Sequence, residues 1–129
     1  MNMIDVPDAE FEQMISRAMD ELPQEYIRGL DNVAVTYDDE PTPHQRQKMK
    51  LRENQTLFGL YEGIPRPQRG AGYNLVLPDK ITIFKLPMLR VHHEREGLYR
   101  EVKHTLWHEI AHFYGLNHDR IHEIEDRWR

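Results

Sequence analysis

The chain has 129 residues, a length typical of a single domain that buries its own core. It contains no cysteine, which excludes disulfide bonds and thiolate metal ligands, and its formal net charge of -5 argues against a general nucleic-acid binder. Because the sequence contains no signal-peptide-like segment and no apolar run of membrane-spanning length, we expect one cytoplasmic domain over residues 1–129, with no membrane partner.

An amphipathic helix is predicted near the N-terminus, in DAEFEQMISRAMDELP, with Asp8 as its N-cap and Pro23 as its stop. Apolar side chains recur there at helical spacing, and we expect them to face the core: Phe11, Met14, Ile15, Ala18, Met19 and Leu22. A second, shorter helical turn is predicted in QEYIRGL, directly after the proline.

Three segments are predicted to be β-strands, because β-branched and aromatic residues are frequent in them. They are residues 32–37, residues 56–64, which Gly59 interrupts, and residues 80–85 (KITIFK). Between the first two, residues 38–55 form a polar excursion with two prolines, which we expect to be partly helical near its end.

The C-terminal part of the chain is predicted to be helical. One long helix covers residues 97–114, and a short helix follows at residues 119–128. The long helix has a core stripe formed by Leu98, Val102, Leu106, Ile110 and Phe113. A helix, then strands, then a helix is an α+β order, and we predict a small mixed or antiparallel sheet packed on the long C-terminal helix.

The stretch HEIAHFYGLNHD, residues 108–119, has the residue types and spacing of a metal site. Because residues at i and i+4 of a helix share a face, the imidazoles of His108 and His112 can reach one ion. Glu109 lies about 100° further around the helix and can hold a water beside the ion instead of binding it. Gly115 permits a left-handed turn that ends the helix, and His118 then follows as the third ligand. Three protein ligands and one open position are typical of catalytic zinc.

Other residues compete for places in this site. Asp119 and His122 are alternatives to His118 as the third ligand. His104 extends the histidine ladder to i, i+4 and i+8, and we assign it to the surface or to the outer shell of the site. Further candidates for outer-shell partners of the imidazoles are Glu101, Asp119 and Asp126.

A histidine-rich helix face can also be merely solvated. That interpretation leaves the position of the glutamate and the spacing between the glycine and the last histidine unexplained. His92 and His93, which precede the helix, are expected in a surface loop. Zinc is the favoured ion, although iron, cobalt and nickel bind similar ligands.

Beyond this motif, nearly the whole sequence resembles the minimal zincin-like metallopeptidases of bacteria. The similar segments are AMDELP, LDNVAV, LFGLYEGIP, LPDKITIFKLP and EVKHTLWHEIAHFYGL. The resemblance implies a compact, cytoplasmic, zincin-like α+β domain with a peptidase role. It also implies that His108 and His112 are zinc ligands and that Glu109 is the general base. Many members of that family have an acidic residue where this chain has His118.

The full pattern HExxHxxGxxH is also the zinc signature of the metzincin metallopeptidases. Metzincins have a methionine turn beneath the metal, downstream of the third ligand. In this chain no methionine follows Met88, so the similarity to metzincins covers the ligands and not the floor of the site.

We therefore expect a zinc-dependent metalloprotease, a hydrolase of a peptide or protein substrate, in which Glu109 acts as general base on a zinc-bound water. The KITIFK strand is expected to offer its edge to an extended substrate. Tyr73, His92 and Tyr114 are candidates for stabilising the oxyanion, although a tyrosine at a helix end more often serves packing.

Two alternatives remain open. The first is a non-catalytic zinc-binding module with a structural or protein-interaction role. The presence of Glu109 is evidence against this alternative, because a purely structural site needs no base. The second is a peptidase that is active only with a partner that completes the cleft, for which residues 38–55 are the candidate surface. The sequence specifies neither the substrate nor the oligomeric state.

Overall fold

A computed structural model of this chain describes residues 3–73 and 77–129. In chain order, its elements are α1 (Asp8–Glu21), α2 (Gln24–Arg28), β1 (Val33–Asp38), α3 (Pro43–Lys48), β2 (Gly59–Glu62), β3 (Asp79–Phe84), α4 (Lys85–Val91), α5 (Arg95–Tyr114) and α6 (His118–Glu125). A 3₁₀ turn, Arg66–Gln68, lies between β2 and β3. Among the described residues, no helix has both the length and the apolar character that crossing a membrane requires.

The three strands form one mixed sheet in the order β1-β3-β2. The central strand β3 pairs in parallel with β1, with Val33 opposite Asp79, and antiparallel with β2, with Gly59 opposite Ile83. The predicted α+β class with a small sheet and a long C-terminal helix is confirmed. The expectation that KITIFK offers its edge to a substrate is wrong, because β1 and β2 already pair with both of its sides. The edge strand that contacts α5 is β2.

Helix α5 lies at the centre of the core, in contact with α1 and with the sheet. Its predicted stripe is completely buried: Leu98, Val102, Leu106, Ile110 and Phe113. Helix α1 contributes four of its predicted core residues, Phe11, Met14, Ile15 and Ala18. Trp107 is completely buried and donates from Nε1 to the carbonyl of Ile121 over 3.1 Å, which fixes α6 against α5.

Helix α1 does not begin as the sequence pattern indicated. Pro7 is the N-cap, and Asp8 is the first helical residue. The Asp8 carboxylate does not cap the helix, because it lies 2.7 Å from Nζ of Lys85 at the start of α4. As an acidic residue in the first turn, it still interacts favourably with the positive end of the helix dipole.

Several other boundaries differ from the predictions. Helix α3 lies in the middle of the 38–55 segment, where Thr42 and Gln45 form a capping box, and not near its end. Gly59 begins β2 instead of interrupting a longer strand. Helix α4 was not predicted, although Pro87 in its first turn is compatible with a helix, because the amides of the first turn have no intrahelical acceptor.

Candidate metal site and cleft

Two histidines of α5 converge on one carboxylate of α6. His104 Nδ1 lies 2.8 Å from Oε2 of Glu125, and His108 Nε2 lies 3.2 Å from Oε1. The centroids of the two imidazole rings are 4.3 Å apart, as expected for residues one helical turn apart. Within the described part of the chain, these three residues form the group of His, Asp or Glu side chains whose ligand atoms all lie within 4.8 Å of one another.

The electrostatics of this group favour a cation. The Glu125 carboxylate has only 2% of its side chain exposed. Burial raises the pKa of Glu125, but the hydrogen bonds and charge attraction of His104 and His108 together outweigh burial, and the pKa lies below its ordinary value. Burial, followed by repulsion from His104, lowers the pKa of His108. An ionised carboxylate beside a neutral imidazole is the combination of protonation states that a metal ion needs.

His112 lies one turn further along α5 and contacts the predicted general base. Its Nδ1 is 3.1 Å from Oε1 of Glu109. This hydrogen bond raises the pKa of His112 by more than burial lowers it. Glu109 is buried, whereas about half of the His112 side chain (53%) is exposed. Because the contact uses Nδ1, it leaves Nε2 of His112 as a ligand atom.

The turn after α5 has the predicted conformation. Gly115 is left-handed, with φ of 69°, and its amide donates to the carbonyl of His112 over 3.1 Å. Helix α6 then begins at His118, where the N-cap Asn117 accepts from the amide of Arg120 over 2.9 Å. His118 is exposed, and neither His112 nor His118 belongs to the group of ligand atoms that lie within 4.8 Å of one another. The assignment of His118 as the third ligand therefore stays a prediction.

Helix α6 also carries the alternative ligands, Asp119 and His122, both of which are exposed. The ring of His122 lies 6.0 Å from that of His108, between centroids. His118, His122 and Glu125 are spaced at i, i+4 and i+7, so they share one face of α6. Two members of that face, His122 and Glu125, lie close to the histidine ladder of α5.

The sequence prediction missed Glu125. The predicted outer-shell partners have other surroundings: Glu101 contacts His92 at 3.0 Å and accepts from Thr105 at 3.1 Å, and Asp119 and Asp126 are exposed. The sequence signal for Glu125 was its spacing: it lies one turn after His122 and two turns after His118, on the same face of α6. The packing of α6 on α5, which brings that face to the imidazoles, is not a local property of the sequence.

A cleft of about 390 Å³ lies between α5 and the start of β2. Its lining includes Phe58 and Gly59 on one side and His108 and Glu109 on the other. A Cβ atom at residue 59 would lie 2.6 Å from Cγ2 of Thr105 and 3.3 Å from Cγ of Glu109. The absence of a side chain at this position therefore allows the strand to approach the helix closely.

The outer edge of β2 carries main-chain groups that do not pair with β3. The carbonyl of Phe58 accepts from the amide of Phe84 over 2.8 Å, which identifies these two residues as a hydrogen-bonded pair of the ladder. In an antiparallel ladder such pairs alternate with non-hydrogen-bonded ones. The N–H and C=O groups of Gly59 and Tyr61 therefore point away from β3, toward the outer edge of the sheet.

A buried ion pair holds the connection between β2 and β3 near the end of α5. Arg69 Nη2 lies 2.6 Å from Oδ2 of Asp79, and the two side chains are 7% and 5% exposed. The hydroxyl of Tyr61 donates to the same carboxylate oxygen. Pro67, in the same connection, lies against Gly115, where an added Cβ would be 2.8 Å from its Cγ. The loop thus supports the turn that leads from α5 to α6.

The three candidates for oxyanion stabilisation have other partners. The Tyr114 hydroxyl donates to the carbonyl of Tyr26 over 2.6 Å, in agreement with the packing role. The Tyr73 hydroxyl accepts from Nδ2 of Asn32 over 3.2 Å, and His92 contacts the carboxylate of Glu101. None of these contacts places a donor in the cleft.

Comparison with known proteins agrees with this fold. The sequence matches the zincin-like metallopeptidase family over residues 30–128. The structure is similar to that of a conserved hypothetical protein from Thermus thermophilus, with a TM-score of 0.56 and 22% sequence identity, over 94% of this chain and 99% of that chain. No curated protein matches the sequence significantly. The family match includes both helices that carry the histidines, and the chain belongs to the zincin-like metallopeptidase family.

Proposed function

We propose that this protein hydrolyses peptide bonds with the help of a divalent ion, zinc in the first place, held by His108, His112 and His118. Glu109 is the proposed general base. Membership in the zincin-like metallopeptidase family supports the reaction class. The observation that carries the proposal is the cleft between α5 and β2, whose lining includes both the buried Glu109 carboxylate and the His108 imidazole.

The ligand set is compatible with the chemistry of zinc, which binds neutral imidazole and carboxylate groups. His108 and His112 are one turn apart on α5, and the left-handed turn at Gly115 leads directly into α6, whose first residue is His118. When bound, zinc lowers the pKa of a coordinated water to about 7 and polarises a carbonyl oxygen.

In the proposed reaction, Glu109 takes a proton from the attacking water at a carboxylate oxygen and later delivers it to the departing amine. Its hydrogen bond with His112 uses Oε1, which leaves Oε2 to take this proton in the proposed reaction. Burial beside Gly59 restricts the side chain to a small region of the cleft, which favours proton transfer in a fixed geometry.

The proposed substrate is an extended peptide that binds along the outer edge of β2. The N–H and C=O groups of Gly59 and Tyr61 provide main-chain hydrogen bonds for such a strand. This edge lies next to Glu109, whereas KITIFK is enclosed between two strands. A cytoplasmic location belongs to the same proposal, and the lack of cysteine is compatible with a reducing compartment.

The decisive experiment combines zinc content with cleavage of a broad peptide library. Glu109→Gln should retain zinc within about twofold of the wild-type content and lose at least about 100-fold in kcat/KM, the usual contribution of a general base. Glu96→Gln, an exposed substitution on the same helix, is the matched control and should retain activity. If the wild type binds zinc but cleaves no peptide in the library, the proposed hydrolysis is wrong.

One observation favours the non-catalytic alternative. The Glu109 carboxylate contacts Nδ1 of His112, which is the position of a carboxylate that orients a metal-binding imidazole. In a purely structural zinc site, orienting the His112 imidazole would be the whole role of Glu109. Glu109→Gln separates the two functions. If Glu109 only orients His112, the variant should lose about 10–100-fold in zinc affinity, and the wild type should have no peptidase activity.

A further inference from the structure

We propose that His104, His108 and Glu125 form a second divalent-metal position, which shares His108 with the proposed HExxH site. Their ligand atoms lie within 4.8 Å of one another. Bonds of about 2.0–2.1 Å in a tetrahedral site place ligand atoms about 3.3 Å apart. The two distances to the Glu125 carboxylate, 2.8 and 3.2 Å, are already close to that value.

The charge of the buried carboxylate is the second argument. Glu125 is 2% exposed, and its cationic neighbour Arg129 lies 3.7 Å away with a side chain that is 67% exposed. A salt bridge to so exposed a partner is weak. A divalent ion between Glu125 and the two imidazoles would compensate the buried charge directly, with a donor set of two histidines and one glutamate that zinc uses in known sites.

The two metal positions exclude each other, because Nε2 of His108 coordinates one ion at a time. An ion at the second position, toward Glu125, leaves His112 in its hydrogen bond with Glu109. An ion at the HExxH position instead requires His108 to turn away from Glu125. We infer that the second position holds the metal in an inactive arrangement, and this part of the inference rests on the proposed function.

The access to the two positions also differs. His104 lines both the 390 Å³ cleft and a larger cavity of about 530 Å³. Glu125 lines only the larger cavity, and His108 lines only the cleft. An ion at the second position would therefore be held by residues of both cavities, next to the proposed substrate site.

The test is metal binding by variants that each remove one position. Zn²⁺ titrated by calorimetry gives the affinity, and Co²⁺ gives a visible spectrum that reports the ligand set. His112→Gln disables the HExxH position and should still bind one ion per chain. Adding His104→Gln to that variant should weaken the remaining Zn²⁺ binding by at least about 100-fold. Loss of an outer-shell partner costs only about 10–100-fold, so the larger loss identifies His104 as a ligand. His108→Gln removes a ligand that the two positions share and should abolish Zn²⁺ binding at either one.

Controls keep the result interpretable. His93→Gln, at an exposed position, should leave binding and the Co²⁺ spectrum unchanged. His104 is the preferred target because 44% of its side chain is exposed and its replacement should not disturb folding, whereas Glu125→Gln adds a buried change. Far-UV circular dichroism of every variant confirms the fold before metal is added.

The outcomes separate this inference from the proposed function. If His112→Gln binds no metal, or if His104→Gln does not weaken its binding, the second position does not exist, and the HExxH site is unaffected by that result. If His104→Gln alone removes all metal while His112→Gln retains it, the second position stands and the proposed catalytic ligand set is wrong.

Discussion

Gly59 of the edge strand lies against Glu109 of the central helix, with no room for a side chain between them. A Cβ atom at residue 59 would be 3.3 Å from Cγ of Glu109 and 2.6 Å from Cγ2 of Thr105. Both atoms belong to buried residues, so they cannot move into solvent. This contact defines the width of the cleft and connects the fold of the small sheet to the position of the proposed base.

Gly59→Ala should destabilise the protein, because the new methyl group overpacks this contact. We expect a loss of about 1–3 kcal/mol in the free energy of unfolding, measured in urea. Gly70→Ala is the matched control, since no atom lies within 4 Å of an added Cβ at that position. The control should change the free energy by less than about 0.5 kcal/mol. Equal effects of the two substitutions would show that β2 is not held against α5.

Much of the architecture follows from local sequence patterns. The stripe from Leu98 to Phe113 identifies α5, because its period matches a helix over about four turns and all of its residues are buried. The left-handed conformation of Gly115 also follows from its position directly after that helix. These features depend on residues near one another in the chain, and the sequence alone was sufficient to predict them.

The errors concern features that depend on distant segments. KITIFK has the composition of a strand, but its place in the middle of the sheet results from pairing with two other segments of the chain. Asp8 has the composition of an N-cap, yet it pairs with Lys85, 77 residues away. Glu125 reaches the histidines only because α6 packs on α5. The packing behind such contacts has no local signal, so the spacing of Glu125 along α6 was not enough to assign it to the candidate site.

Metal should stabilise the folded protein, because the ligands of α5 and α6 are assembled only when these helices pack together. At a free Zn²⁺ concentration of about 100 times the dissociation constant, we expect a gain of about 2.7 kcal/mol in the free energy of unfolding. Thermal melts with and without a chelator provide the measurement. In His108→Gln the metal-dependent gain should disappear, whereas in Glu96→Gln it should persist. A gain of equal size in His108→Gln would exclude this histidine as a ligand.

The ion pair between Arg69 and Asp79 should be essential for the connection between β2 and β3. Arg69→Met leaves a buried carboxylate without its cation, and we expect a loss of about 3–5 kcal/mol in urea denaturation. Replacement of both residues by apolar ones, Arg69→Met with Asp79→Leu, should restore part of that loss, because no unpaired charge remains. Additive losses in the double variant would show that the two side chains do not interact.

The stabilising contribution of Tyr61 to the free energy of unfolding should be lost at high pH. Burial, together with its hydrogen bond to Asp79, raises the pKa of Tyr61 above the ordinary value of 10.0. Its contribution is fully present below about pH 10 and is lost as the pH rises through the higher pKa of the folded state, because only the unfolded chain has released the proton. Tyr61→Phe should reduce the fall in unfolding free energy above about pH 10 by up to about 1.4 kcal/mol per pH unit. Identical pH dependence in both proteins would contradict the shift.

Gly115→Ala should damage both the fold and the placement of α6 against α5. The residue has φ of 69°, where a side chain is strained by about 1–2 kcal/mol, and its added Cβ would lie 2.8 Å from Cγ of Pro67. Pro67→Ala in the same chain removes the clash and not the backbone strain, so the double variant should recover only part of the free energy of unfolding. Because α6 follows this turn, metal affinity should fall with stability in Gly115→Ala. An unchanged affinity for Zn²⁺ would show that the turn does not position any ligand of α6.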